Sequence, residues 1–210
     1  MSKVNVIEHP LVQDRLTQLR DQTTDIGTFR KAMSDLGYLL FYEAARSLPT
    51  ETIAISTPMT AMDAPRLRSQ IVLVAVLRAG LGFLDGVLTH VPIARVGYLG
   101  LKRDPTTLQA VSYYKNLPVI SEADTVFVLD PMLATGHTAI AALREISEAG
   151  ARSMHLITLL ASPSGIETVQ KAFPDLSITT AAIDPILSEK GYIIPGLGDA
   201  GDRLYGTLGH

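Results

Sequence analysis

The chain has 210 residues, 47% apolar and 19% charged, with a formal net charge of −3. That size supports one well-buried domain over 1–210, and a mildly negative charge with no run of Lys and Arg argues against broad binding to nucleic acid or to an anionic membrane. There is no cysteine, so disulfides and thiolate metal sites are excluded and a reducing cytoplasmic setting is expected.

The N-terminal stretch lacks the apolar run of a signal peptide, and the longest apolar run, Ile71 to Leu77, is too short to span a bilayer. Residues 9–47 read as helical. Leu11, Leu16 and Leu19 fall near one face, interleaved with Asp14, Arg15 and Arg20. A second pattern through Phe29, Met33, Leu36 and Leu40 follows a break at 23–27 and stops at Pro49. These helices are expected to pack on the sheet or on a second subunit. Residues 52–57 are a short strand candidate, and 59–68, with no clear period, read as a connection. Ile71-Val72-Leu73-Val74-Ala75-Val76-Leu77 is continuously apolar, the pattern of a central strand covered on both faces. It runs into Arg78-Ala79-Gly80-Leu81-Gly82. Two glycines there allow a tight turn with exposed amides, and Arg78 stands at the strand's carboxyl end, where open α/β sheets bind ligands. A helix through Phe83, Leu84, Val87 and Leu88 follows.

Residues 94–101 make another strand and Lys102-Arg103-Asp104-Pro105 a charged turn. Residues 110–114 read as one arm of a hairpin, since Val111, Tyr113 and Tyr114 favour strand. Thr125-Val126-Phe127-Val128-Leu129 then begins a buried strand. It passes through Asp130-Pro131-Met132-Leu133-Ala134-Thr135-Gly136-His137-Thr138 into a helix marked by Ile140, Leu143 and Ile146. Strand, tight loop and helix N-terminus in that order make an anion site, because unpaired N–H groups and the positive end of the helix dipole converge. Thr135 and Thr138 add hydroxyls, and Asp130 can hold a sugar hydroxyl or a metal. Strands at 154–160 and 176–182, with a helix from Ser162-Pro163 through Ile166, Val169 and Phe173, complete the alternation. The expected fold is α/β, an open mostly parallel sheet flanked by helices, with the loops after Leu77 and Leu129 on one rim. The stretch 190–203 carries four glycines and is read as irregular.

The loop after Leu129 has neither the Gly-Lys-Ser/Thr ending of a Walker loop nor the three spaced glycines of a dinucleotide fingerprint. Arg78 reads as an anion ligand in preference to a surface ion pair. Arg103, between Lys102 and Asp104, reads by itself as a solvated turn residue. His137 has no second histidine at ligand spacing and is taken as non-catalytic, near the helix N-terminus. For Asp199 and Asp202, in a glycine loop, solvated and functional readings stand level.

Together these segments resemble the uracil phosphoribosyltransferases. Asp130-Pro131-Met132-Leu133-Ala134-Thr135-Gly136 resembles their phosphoribosyl-diphosphate loop, and Leu77-Arg78-Ala79-Gly80-Leu81-Gly82 their pyrophosphate loop. Gly100-Leu101-Lys102-Arg103-Asp104-Pro105, with Leu108-Gln109 and Tyr113-Tyr114, resembles their flexible arginine segment and hairpin. The stretch from Tyr192-Ile193-Ile194-Pro195-Gly196 to Asp202-Arg203 resembles their uracil-binding tail, and His9-Pro10-Leu11-Val12 their N-terminus. The tail is the specific part, since the loop after Leu129 is shared in general form by many phosphoribosyltransferases.

The resemblance implies the type I phosphoribosyltransferase fold with N-terminal helices, a β-hairpin arm and an irregular C-terminal base-binding hood. It implies that uracil and 5-phosphoribosyl diphosphate give UMP and diphosphate, with Mg²⁺. Donor binding would fall to Arg78, Arg103, Asp130, Pro131, Met132, Leu133, Ala134, Thr135, Gly136, His137, Thr138 and Asp199. Uracil would be read by Ile193, Gly198, Asp199 and Ala200, with Asp199 and Arg103 catalytic. Mg²⁺ would ride mainly on the diphosphate, with Asp199 nearby through water. A cytoplasmic homo-oligomer, dimer or larger, is implied too, and GTP activates some relatives. Two departures stand out: Leu129 replaces the first of two acids found in many phosphoribosyltransferases, and His137-Thr138 stand where many uracil enzymes have glycine and serine. The rival reading is a regulatory module of the same fold that senses pyrimidine nucleotides or binds RNA; the net charge of −3 counts against it.

Overall fold

The computed structural model describes residues 4–103 and 110–207, with backbone alone for Lys102, Arg103 and Ala110. The chain opens with β1 (Val4–Val6), α1 (Pro10–Arg20) and α2 (Ile26–Ala44), then β2 (Thr50–Ser56) and β3 (Ala61–Leu67). Next come β4 (Ile71–Leu77), α3 (Leu81–His90), β5 (Arg95–Arg103), β6 (Ala110–Asn116), β7 (Thr125–Leu129), β8 (Met132–Leu133) and α4 (His137–Glu148). The remainder is β9 (Ser153–Ile157), β10 (Leu160–Ala161), α5 (Pro163–Ala172), β11 (Ser177–Thr180), β12 (Ala182–Ile183), β13 (Ile186–Leu187), β14 (Ile193–Ile194) and α6 (Ala200–Tyr205). The helix starts are set by short-range chemistry. His9 accepts the Leu11 N–H with Pro10 in the first turn of α1, Asp25 accepts the Thr28 N–H for α2, and Ser162 accepts the Gly165 N–H for α5.

Seven strands form the main sheet in the order β1-β11-β9-β7-β4-β5-β6. All neighbours are parallel except β5 and β6 at one edge. At the centre β4 pairs with β7, Ala75 opposite Leu129. From β4 the chain winds through α3 to β5 on one side. From β7 it winds through α4 and α5 to β9 and β11 on the other. The winding reverses between β4 and β7, so their outgoing loops part and leave a crevice at the carboxyl ends. Those loops begin at Arg78 and Asp130.

Successive residues of the central strands serve opposite faces. Ile71, Leu73, Ala75, Phe127 and Leu129 join a core with α1, α2 and α3, including Phe29, Leu36, Leu40 and Phe83. Val72, Val74, Val76, Val126 and Val128 join a second core with Ala142, Leu143 and Ile146 of α4 and Val169 of α5. Covering on both faces is why these strands show apolar runs without alternation.

Residues 59–68 are not a plain connection. Ala61–Leu67 pairs antiparallel with Thr50–Ser56, from Thr50 opposite Leu67 to Ser56 opposite Ala61. Both strands of this ribbon are exposed almost throughout, so no buried face imposed a period of two on the sequence. β1 adds a parallel edge strand, Val4 opposite Ile178, too short to leave a pattern. The expected charged turn at Lys102-Arg103 is the end of β5; Asp104, Pro105, Leu108 and Gln109 lie outside the described residues. The strand candidates at 154–160 and 176–182 each break in two. β8, β10 and β12 make a small three-stranded parallel sheet beyond the end of the main one. The chain stays buried across each break, at Thr158 and Leu159 and at Ala181, so no change of pattern marks it. The glycine-rich tail is not wholly irregular either, since it contains β14 and the six-residue α6.

Candidate active site

The loop after β7 is held from behind by backbone. The Asp130 N–H donates to Ile157 O at 3.1 Å, Pro131 O accepts from Leu159 and Leu160, and Leu133 O accepts the Ser162 N–H at 2.9 Å. The Ser162 hydroxyl donates to Ala134 O at 2.6 Å. α5 lies so close that a Cβ at Gly165 would stand 2.3 Å from Ala134 O. Pro131 and Leu133 are buried, and they shape the loop from inside the protein. Gly136 sits at φ 84°, a left-handed conformation that turns the chain into α4 and that a side chain would strain. No side chain caps α4, so the N–H groups of its first turn, from His137 and Thr138 onward, open outward at the positive end of the helix dipole. His137 is the first residue of the helix, and its Nδ1 lies 3.1 Å from the Thr135 hydroxyl.

The second half of the site comes from the C-terminal segment. β13 and β14 pair antiparallel, Leu187 opposite Ile193, and the turn between them is closed by Gly191 N–H to Ser188 O at 2.8 Å and by Tyr192 N–H to the Ser188 hydroxyl at 3.0 Å. Asp199 caps α6, accepting the Asp202 N–H at 2.9 Å. A cavity of about 260 Å³ lies between the two halves. Its wall carries Asp130, Met132 and Ala134 from the first loop and Ile193, Gly198, Asp199 and Ala200 from the tail, all candidate site residues, and also Ala79, Gly191, Tyr192 and Gly201, which were not candidates. Their signal was adjacency: Gly191-Tyr192 opens the tail, Gly201 lies within it, and Ala79 belongs to the loop after β4. Thr135, Gly136, His137 and Thr138 lead away from this wall into α4.

Asp130 is the half-buried acid of the site. Loss of water around its carboxyl pushes its pKa up to about 6, against a weaker opposing effect of the Met132 N–H. Arg78 behaves differently from a free anion ligand. Its guanidinium pairs with Asp202 at 2.9 Å and reaches the Thr207 hydroxyl at 3.3 Å, so the surface ion pair set aside in the sequence is present. It still borders the cavity, since a Cβ at Gly201 would lie 3.6 Å from its Nη2. The side chain of Arg103 lies outside what the structure describes. Among the described residues no group of three or more His, Cys, Asp or Glu side chains could hold a metal alone, and no helix is long and apolar enough to cross a membrane.

The uracil phosphoribosyltransferase family model matches residues 6–207. A uracil phosphoribosyltransferase of Paracoccus denitrificans is 49% identical over 205 residues, covering 97% of each chain. One of Staphylococcus epidermidis is 48% identical over 208 residues, covering 99% of this chain and all of its own. A solved structure of a protein from Aquifex aeolicus superposes with a TM-score of 0.90 at 40% identity, covering 96% of this chain and 97% of that one. An adenine phosphoribosyltransferase of Trypanosoma brucei, solved with AMP, pyrophosphate and ribose-5-phosphate, shares the fold at a TM-score of 0.61 and 11% identity, over 95% of this chain and 89% of that one. By sequence and by fold, the chain belongs to the uracil phosphoribosyltransferase family.

Proposed function

We infer that the chain works as its family does: it transfers the 5-phosphoribosyl group of phosphoribosyl diphosphate to uracil, giving UMP and diphosphate. The observation that supports the division of labour is the shared cavity, where Asp130 at the crevice between β4 and β7 meets the backbone of Ile193, Gly198 and Ala200. In this reading the donor's 5-phosphate rests on the amides and hydroxyls from Ala134 to Thr138, where a dianion gains from each N–H and from the dipole of α4. Asp130 accepts hydrogen bonds from the ribose hydroxyls. Arg78 and Arg103 hold the diphosphate, which must share Arg78 with Asp202 or displace that carboxylate. Bond breaking at the anomeric carbon builds positive charge on the ribose, so the protein contributes mainly alignment and electrostatic stabilisation. Glycine-rich backbone at 196–201 approaches the flat edge of uracil closely. Cytosine's amino group would meet a donor where an acceptor is needed, and a site built on such pairing rejects the wrong base strongly.

Mg²⁺ suits the donor set, because the wall offers the hard oxygen ligands of Asp130 and Asp199 and the diphosphate supplies more. When bound, the ion offsets the charge of the leaving diphosphate. Asp199 would orient it through water. The whole chain is taken as one such domain, acting in the cytoplasm, where a cysteine-free protein suits the reducing environment. Formation of UMP from uracil, phosphoribosyl diphosphate and Mg²⁺ by the purified protein is the direct test. Folded protein with no product above background would end this reading.

A homo-oligomer is part of the same proposal. The β2–β3 ribbon leaves Ile55, Met59, Met62 and Leu67 exposed, and Tyr42 and Ile93 are bare on the body of the protein. A two-stranded ribbon is marginal by itself, and apolar side chains left exposed on it support an interface. Sedimentation is expected to show a dimer or larger species; a monomer at all concentrations would remove it. Repeating the run and the activity assay with GTP tests the activator role, which rests on the resemblance alone.

A further inference from the structure

We propose that the C-terminal end of α1 is the mount of the base-binding segment, and that Arg20 and Arg203 are positioning residues for uracil although neither lines the cavity. The inference rests on the reading of 193–200 as the base site.

The contacts converge on three consecutive residues of α1 and its cap. From Arg20, Nη1 donates to Asp184 Oδ2 at 2.7 Å and to Gly196 O at 2.9 Å, while Nη2 donates to Asp184 Oδ1 at 2.8 Å. Asp184 Oδ2 in turn accepts the Gly196 N–H at 2.9 Å. Both backbone groups of Gly196 are thus held by one ion pair whose carboxylate is buried. On the other side of the segment, Arg203 donates from Nη1 to Leu19 O and to Leu197 O, and from Nη2 to Asp21 O at 2.6 Å. Its guanidinium lies 4.3 Å above the Phe29 ring, which fixes its plane. Leu19, Arg20 and Asp21 therefore grip the chain at 196–197 and again at 203. Of the residues between these grips, Gly198, Asp199, Ala200 and Gly201 are cavity wall and Asp202 pairs with Arg78.

A glycine-rich segment has no side chains of its own to hold a precise backbone geometry. Base recognition through backbone groups needs that geometry, and a rigid helix end supplies it through planar, forked guanidinium contacts that lysine cannot reproduce. None of these contacts reaches the donor loop at 130–138. Loosening the mount should therefore weaken the uracil half of the site most, the donor half being reached only through Asp199 and the Asp202–Arg78 pair.

The test is steady-state kinetics of Arg20→Lys with each substrate varied in turn, beside melting curves of the full chain. The expected result is a rise of about 10-fold or more in the uracil KM, a rise in the phosphoribosyl-diphosphate KM at least about three-fold smaller than that, and less discrimination against cytosine. Ala200→Val, which places bulk directly on the cavity wall, separates the two readings. If it raises the uracil KM and folded Arg20→Lys does not, the mount is refuted and the base site stands. If Ala200→Val leaves the uracil KM unchanged, the base-site reading falls and the mount with it. Equal rises in both KM values for Arg20→Lys would show general loosening and overturn the proposal. Should Arg20→Lys not fold, Arg203→Lys carries the same expectations.

Discussion

Asp130→Asn is expected to melt several degrees above the parent chain at pH 8 while losing nearly all UMP formation. The Asp130 carboxyl sits on the cavity wall, partly open to it, but neighbouring atoms strip most of its water. Its one described hydrogen bond is from the Met132 N–H, at 3.4 Å. Burial raises its pKa to about 6 from an ordinary 3.8. The folded carboxyl thus holds its proton more tightly than the unfolded one. Ionisation costs the fold about 3 kcal/mol above pH 6; the cost shrinks as pH falls from there and is gone below the unfolded value. Asparagine keeps the shape and the acceptor for Met132 but carries no charge. One kcal/mol is worth about 2–4 °C in a chain of this size, so the difference in Tm should be several degrees at pH 8 and vanish near pH 4. In the proposed function the same substitution removes the anionic acceptor for the ribose hydroxyls, and a loss of about 100-fold or more in kcat/KM is expected. In the parent enzyme kcat/KM for phosphoribosyl diphosphate should fall as pH drops through about 6, when the free enzyme's carboxyl takes up its proton. Unchanged melting at pH 8, or near-parental turnover, would contradict this account of Asp130.

The second large effect concerns Asp199, which has two jobs that can be separated. Its carboxylate caps α6 through the Asp202 N–H and also faces the cavity. Asp199→Ala loses both, so turnover should disappear and stability should fall by about 1 kcal/mol, the usual cost of a lost cap. Asp199→Asn retains a good capping oxygen and loses only the charge. It should keep the parental melting temperature and still lose activity by about 100-fold or more, as expected when a preorganised charge is removed from a reacting centre. If Asp199→Asn turns over uracil normally while Asp199→Ala does not, the residue acts by holding α6 and not by its charge.

The parts of the fold that were legible from residues alone are those where local pattern and tertiary role agree. Ile71–Leu77 and Thr125–Leu129 are apolar at every position because both faces are covered, and both are central strands. The helices α4 and α5 show their apolar stripes, and the loop between β7 and α4 carries its own chemistry in sequence order. The ribbon β2–β3 was hidden because neither face is buried within this chain. The breaks near Thr158 and Ala181 were hidden because the chain stays buried across them. In both cases hydropathy reports burial, and burial was not what defined the element.

The same division applies to the site. The loop after β7, the acid at its head and the glycine-bearing tail are readable from consecutive residues, because each is a contiguous run that carries its own backbone chemistry. That Asp130 and Ile193 share one cavity, that Arg78 is already paired with Asp202, and that Arg20 and Asp184, 164 residues apart, both bond to Gly196 emerges from the folded chain alone. Those facts depend on which loops a parallel sheet brings to one rim and on which helix end lies beside them. Contacts between distant segments are set by packing of the whole chain, and no local spacing encodes them.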